Sequence, residues 1–231
     1  MKQAIIPFLA VFMLVPVVAA EPADDRDRAA ELHREDSSEF RDRPELGKPI
    51  DFENIDNALL DAAVFHETNL RRDGHELPPL GFKPELREAA RIQSAAMMRG
   101  RMISHRNPDP ELETLSDRLD QLEVQGRYFA ENVAMVFGVQ YESGEPFFSR
   151  EEGDELILSK KPEGPPIPPH TYQSFAESLL DSWMESPGHR KNILSTKPEL
   201  LGASCVHARP EDGMDRFYCT QVFYAPFNHR P

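Results

Sequence analysis

His105, Glu131, Glu185 and His189 are the residues on which chemistry could rest. His105 follows one helical pattern, Glu131 precedes a run of strand formers, and His189 follows a helix broken by Pro187 and Gly188. Glu185 lies one helical turn before His189. Two imidazoles with one or two carboxylates are a donor set for a divalent cation such as zinc. They serve general acid–base chemistry equally well. Taken singly, each such residue is ordinarily a surface group or a structural hydrogen-bonder, and spacing alone does not gather them. No hydrolase signature is complete. His66-Glu67 and His75-Glu76 open like the zinc-protease pattern His-Glu-x-x-His, but Leu70 and Pro79 stand where the second histidine is needed. There is no Gly-x-Ser-x-Gly elbow. His170, His207 and His229 have no motif around them.

The elements that must position these residues follow from periodicity. Leu59, Ala63, His66 and Leu70 share one helical face, and Leu77-Pro78-Pro79-Leu80 is a rigid connector after it. Pro84 suits the first turn of a second helix, whose small-residue face holds Leu86, Ala89, Ala90 and Ala96. That helix ends near Met102 and leaves His105 in a loop. Leu115, Leu119 and Leu122 predict a short third helix. A strand is expected over 132–137, entered directly from Glu131. Phe175, Leu179, Leu180, Trp183 and Met184 form the apolar stripe of the helix that Pro187 and Gly188 end, and that stripe assigns Trp183 to the core. Ile193 and Leu194 return to the core and pin the turn holding His189. Asn132 and Gln221 are expected to satisfy backbone groups near the sheet. Helices, strand, helix, strands is the order of an α+β layered domain with an antiparallel sheet.

Three regions stand outside that pattern. Residues 1–20 carry a Lys2 start, an apolar run and Val18-Ala19-Ala20 before Glu21, which reads as a secretory signal cleaved after Ala20. No later stretch could span a membrane. Residues 21–50 are dense in charge and poor in large apolar side chains, so they are expected to form a solvated, disordered tail or linker. Residues 51–231 are the domain. Within it, 140–169 reads as an insertion in which Pro146-Phe147-Phe148 and Leu156-Ile157-Leu158 form a protruding hairpin. Its Tyr141, Phe147, Phe148 and proline run either make a partner-binding edge or cover the molecule's own sheet or cleft. The net charge of −14 excludes nucleic acid and anionic membranes as natural partners. Cys205 and Cys219 flank a turn centred on Asp212, so a hairpin places them opposite each other. Outside the cytoplasm a disulfide is the natural reading, two buried thiols being the alternative.

Several motifs in order resemble the CAP superfamily of cysteine-rich secretory, antigen 5 and pathogenesis-related proteins, in its bacterial exported form. Phe129-Ala130-Glu131-Asn132-Val133-Ala134 is similar to the family's Gly-Glu-Asn-x-Ala motif. Trp183-Met184-Glu185-Ser186-Pro187-Gly188-His189-Arg190-Lys191-Asn192-Ile193-Leu194 resembles its second motif, and Tyr218-Cys219-Thr220-Gln221-Val222-Phe223 its final strand. Asn69, Arg72, the double-proline connector and Met102-Ile103-Ser104-His105 also fit. The likeness runs from about Ile55 to Pro226. It implies an α-β-α sandwich with a central antiparallel sheet and a surface cleft, lined in eukaryotic members by two His and two Glu. His105 and Glu131 match the first of each. Ser186 and Tyr218 occupy the other two positions, leaving Glu185 one residue short and His189 as a replacement imidazole.

The function this implies is a secreted binding module, monomeric, whose cleft holds a lipid, small molecule or protein partner. It requires no cofactor, with zinc or another divalent cation weakly held by His105, Glu131 and His189. The alternative is a metal-assisted hydrolase in which those three hold the ion and Glu131 and Glu185 are the candidate catalytic residues. Asn132, Trp183, Pro187, Gly188, Asn192 and Gln221 are structural positions of the motifs.

Overall fold

A computed structural model describes residues 23–141, 145–153, 155–209 and 214–227. Residues 1–20, read above as a secretory signal, and the centre of the turn between the two cysteines lie outside the described residues. The main sheet has the order β1-β5-β6-β2. Its strands are β1 (Gly81–Phe82), β2 (Gly126–Phe137), β5 (Leu200–Ala208) and β6 (Arg216–Pro226). β6 pairs antiparallel with both β5 and β2. β1 runs parallel to β5 over two residues, so the sheet is mixed rather than wholly antiparallel. The reason is the double-proline connector, which leads into Gly81 and Phe82 beside Leu200 and Leu201.

Alternation along β6 sorts the layers. Phe217, Cys219 and Phe223 face a core shared with α3 (Asn57–Asp73) and α6 (Tyr172–Glu185). Val222 and Tyr224 face the other way, onto Leu86, Ala89 and Ala90 of α4 (Pro84–Gly100) and Leu119 of α5 (Leu115–Gln121). Helices thus cover both faces, giving three layers. The small face of α4 lets it approach closely. A Cβ on Gly202 would stand 2.1 Å from the Arg87 amide nitrogen. Capping boxes start α5 at Thr114 and Asp117 and α6 at Thr171 and Ser174. Cys205 and Cys219 are direct register partners and form a disulfide.

Three local expectations are corrected. Residues 23–50 are not a solvated tail. They form α1 (Ala23–Leu32), α2 (Ser37–Phe40) and a 3₁₀ turn (Pro44–Gly47), and bury Leu32, Phe40, Leu46 and Ile50 in the main core. The segment has too few apolar residues to build a core of its own, but enough to complete one already formed by α3 and α6. β2 begins at Gly126, so Glu131 lies mid-strand and not at its entrance; Tyr128 and Phe129 extend the pairing to Ala225 and Tyr224. The chain does not turn into a loop at Pro187. It restarts at once as α7 (Pro187–Ile193), with proline in the first turn where its missing N–H costs nothing. His189 is therefore helical. The insertion does contain the expected hairpin, β3 (Phe148–Glu152) with β4 (Glu155–Ser159). Tyr141 meets Phe137 of β2 edge-on and Phe147 edge-on in turn, while Phe147 and Phe148 stay partly exposed.

Candidate functional site

α4 ends where Arg101 adopts a left-handed conformation, φ 49°. That reversal sends the following loop back along the sheet and delivers His105 to the α4 face of β2. On the same face, Glu131 projects from β2 opposite Val222. His105 Nδ1 and Glu131 Oε1 are 2.9 Å apart. The other carboxylate oxygen accepts from the Arg118 guanidinium. Arg118 is fully buried and Glu131 nearly so, whereas the His105 side chain is 59% exposed. Gln93, inside α4, locks the arrangement. It accepts from Arg118 Nη1 at 2.7 Å and donates to the Ser104 carbonyl at 2.6 Å, so the loop bearing His105 and the buried cation are held by one amide.

The next residue points to the opposite face. The Asn132 amide donates to Gln221 Oε1 at 3.2 Å and to the His189 carbonyl at 3.3 Å, and its oxygen accepts from Asn192 at 2.8 Å. Gln221 continues the chain to Thr68 on α3, 2.5 Å away. β2 is an edge strand, and an edge presents unpaired carbonyls. Asn192 reaches the Glu131 carbonyl at 3.3 Å, and Trp183 Nε1 the Val133 carbonyl at 3.4 Å. α6 and α7 thereby cover that edge and bring the backbone of His189 against it. Asn132 meets a backbone carbonyl and Trp183 lies in the core, as expected, whereas Gln221, expected to satisfy backbone groups, bonds the side chains of Asn132 and Thr68. Ala130 sits in regular strand and is not among the residues with positive φ, so it replaces glycine without strain.

Electrostatics separates the two histidines. The hydrogen bond that His105 donates to Glu131 holds its pKa above the ordinary imidazole value, outweighing its partial burial. Burial first, and the charge of His105 second, hold His189 below that value. The two rings therefore lie within electrostatic reach of each other across the edge of β2. Glu185 ends α6 and is exposed, with no hydrogen bond or ion pair to the cluster among the described residues. Tyr218, at the family's second histidine position, is buried with Met97 and Val133. Ser186 links α6 to α7.

The donor set does not fit a tightly held metal as it stands. Glu131 has both oxygens engaged, His105 has spent Nδ1, and two imidazole nitrogens fall short of the three or four protein ligands zinc takes. Among the described residues, no group of three or more His, Cys, Asp or Glu is arranged to hold a metal ion. Arg118 and Gln93 are the site residues that the motif reading missed. Arg118 does carry a signal, because Leu115, Arg118, Leu119 and Leu122 complete an i, i+3, i+4, i+7 stripe. An arginine on such a stripe must find a buried partner.

A three-layer α-β-α sandwich with a histidine–glutamate pair at a sheet edge covered by a Trp-bearing helix defines the CAP class of domain. The family profile of CAP, the Cysteine-rich secretory protein family, matches residues 65–223, and the chain belongs to that family. Among solved structures, the chain is similar to an extracellular protein containing a SCP domain from Bacillus anthracis. Identity is 26%, covering 71% of this chain and 40% of that one, with a TM-score of 0.46. It is also similar to an outer surface protein from Borrelia burgdorferi (16% identity, 78% and 98% covered, TM-score 0.47). A third is a cysteine-rich secretory protein from Staphylococcus aureus (17%, 73% and 39%, 0.44). The chain thus spans about two fifths of the Bacillus and Staphylococcus chains. No curated protein matches it. No described helix is long and apolar enough to cross a membrane.

Proposed function

We propose that this is an exported CAP-domain binding module that takes a ligand or protein partner across the His105 loop, the edge of β2 and α7. The observation that carries this reading is the engagement of both Glu131 oxygens, Oε2 by the buried Arg118 guanidinium and Oε1 by His105. A catalytic carboxylate needs a free oxygen to move a proton or hold an ion. Withdrawing Oε2 would break a buried ion pair, which is costly, and withdrawing Oε1 would release the His105 ring. What the cluster offers outward is imidazole: the far nitrogen of His105 and the ring of His189. Met102 and Ile103, 63% and 51% exposed, shortly precede His105 in its loop. Hydrogen-bonding groups bordered by apolar side chains are the ordinary composition of a recognition surface. The cystine supports export, since such bonds persist in oxidising compartments.

The hydrolase reading is separated by assay. Purified protein is given zinc and tested on 4-nitrophenyl acetate and on casein, beside Glu131→Gln and His105→Ala. The expected result is no turnover that differs between the three proteins. Hydrolysis by the parent that disappears in folded Glu131→Gln would replace the binding reading with an enzymatic one.

A further inference from the structure

We propose that the cavity beneath the insertion hairpin is a second binding site, for a small uncharged molecule that is apolar along its body and hydrogen-bonding at one end. The cavity encloses about 380 Å³ between the end of β2, the β3–β4 hairpin and the proline segment after it. That volume lies in the range of small-molecule sites. Phe52, Phe137, Leu158 and Ile167 line its body. A smaller hollow shares Phe137, Leu158 and Ile167 and adds Tyr141 and Phe147, so the apolar wall continues outward along the edge-on run of three rings.

The walls are fixed. The Ile167 amide donates to Leu158 at 2.7 Å and the Gln140 amide to Pro168 at 2.9 Å. Single bridges tie Val139 to Pro169 and Ser159 to Pro166. These bonds consume backbone groups that would otherwise make the wall polar.

Arg209 and Asp215 close one end. Asp215 accepts from Arg209 Nε at 3.0 Å and Nη2 at 3.2 Å, and His207 Nε2 lies 2.6 Å from it. Arg209 Nη1 donates to Glu53 at 2.8 Å. One guanidinium thus answers two carboxylates, so the end presents no surplus positive charge to an anion. Asp215, already bound by Arg209 and His207, has little to give a cation. Two of the five guanidinium N–H groups fall outside these three bonds. They suit the hydroxyl or carbonyl oxygen of a neutral ligand. Phe137 is six residues along β2 from Glu131, about 20 Å at strand rise, so this site stands or falls separately from the histidine face.

The test uses N-phenyl-1-naphthylamine, an uncharged fluorophore with an apolar body, titrated into the full chain. Saturable, one-to-one enhancement of emission is expected. Leu158→Trp, which fills the cavity, should weaken it by about tenfold or more with the melting temperature near that of the parent. Should that variant unfold, Val139→Phe fills the cavity from the β2 side and must give the same loss. His105→Ala and His189→Ala should bind the probe as the parent does. The anionic 1-anilinonaphthalene-8-sulfonate should bind less tightly than the neutral probe. Absence of saturable binding, equal affinity in the filled variant, or tighter binding of the anion would overturn the proposal.

Discussion

Arg118 is the residue on which the histidine face depends. It has no exposed side-chain surface, and it spends its charge on Glu131 and its geometry on Gln93. A buried cation stripped of its anion, or the reverse, is expensive, while removal of both together is far less so. Arg118→Met alone should therefore lower unfolding free energy by about 3–5 kcal/mol. Arg118→Met with Glu131→Leu should recover most of that loss, as read from paired denaturant titrations. His105 reports on the same cluster from the outside. Its folded pKa is raised by Glu131, so the stability it contributes is present below the unfolded value and is lost as pH rises through the folded one. An NMR titration should place His105 above the ordinary imidazole range and His189 below it, and Glu131→Gln should bring His105 down. A His105 that titrates unchanged in Glu131→Gln would remove the pair from the account. The pairing of His105 with Glu131 was legible in the motifs. The role of Arg118 was not, because the motif carries no information about what neutralises its carboxylate.

At the scale of elements, the N-terminal segment is the part that composition misjudged. Its charge density is real, but its five buried apolar residues share the core of α3 and α6. Two histidines hold the joint. His66 of α3 reaches the Leu32 carbonyl at 2.9 Å and Ser37 at 2.9 Å. His33 stacks on Phe82 at 3.9 Å. Burial lowers both pKa values, that of His33 to about 3. The imidazoles are thus bound neutral, so their stabilisation is complete above the unfolded value of 6.5 and is lost as pH falls below it, for His33 down toward about 3. The loss is on the order of 1 kcal/mol per pH unit for His33 across that window. Asp61, raised to about 6 by burial, works in the opposite sense over the same range, so the measurement must be local. Protection factors across residues 25–50, corrected for the slower intrinsic amide exchange at lower pH, should drop from pH 6.5 to pH 4.5 before those of the sheet do. A uniform drop across segment and sheet would contradict the joint. Strand boundaries failed for a related reason. Glu131 looked like a strand entrance because charged residues bound most strands, yet its side chain is compensated and its backbone pairs with Val222 throughout.

For the whole molecule, the order helices, strand, helix, strands followed from the alternation of helical and strand periods from Asn57 onward, whereas the three-layer sandwich was what the family likeness implied. The parallel β1 pairing did not follow from that alternation, since two residues carry no period. Nor did the restart of the helix at Pro187, which reads equally as an end or a beginning. The candidate cleft residues were named by likeness to a family, and the bonding of Glu131 to Arg118 and His105 is what favours a binding face over a metal centre in the function proposed. Zinc calorimetry on the chain from Glu21 onward at pH 7.5 and pH 5, beside His105→Ala and His189→Ala, tests that distinction most directly. Imidazole must be neutral to ligate, so true coordination weakens at the lower pH. With Glu131 held by Arg118, the account predicts no binding in the micromolar range at either pH. One-to-one micromolar binding at pH 7.5 that both variants abolish would show that Glu131 and the two histidines rearrange into a metal centre, and would contradict it.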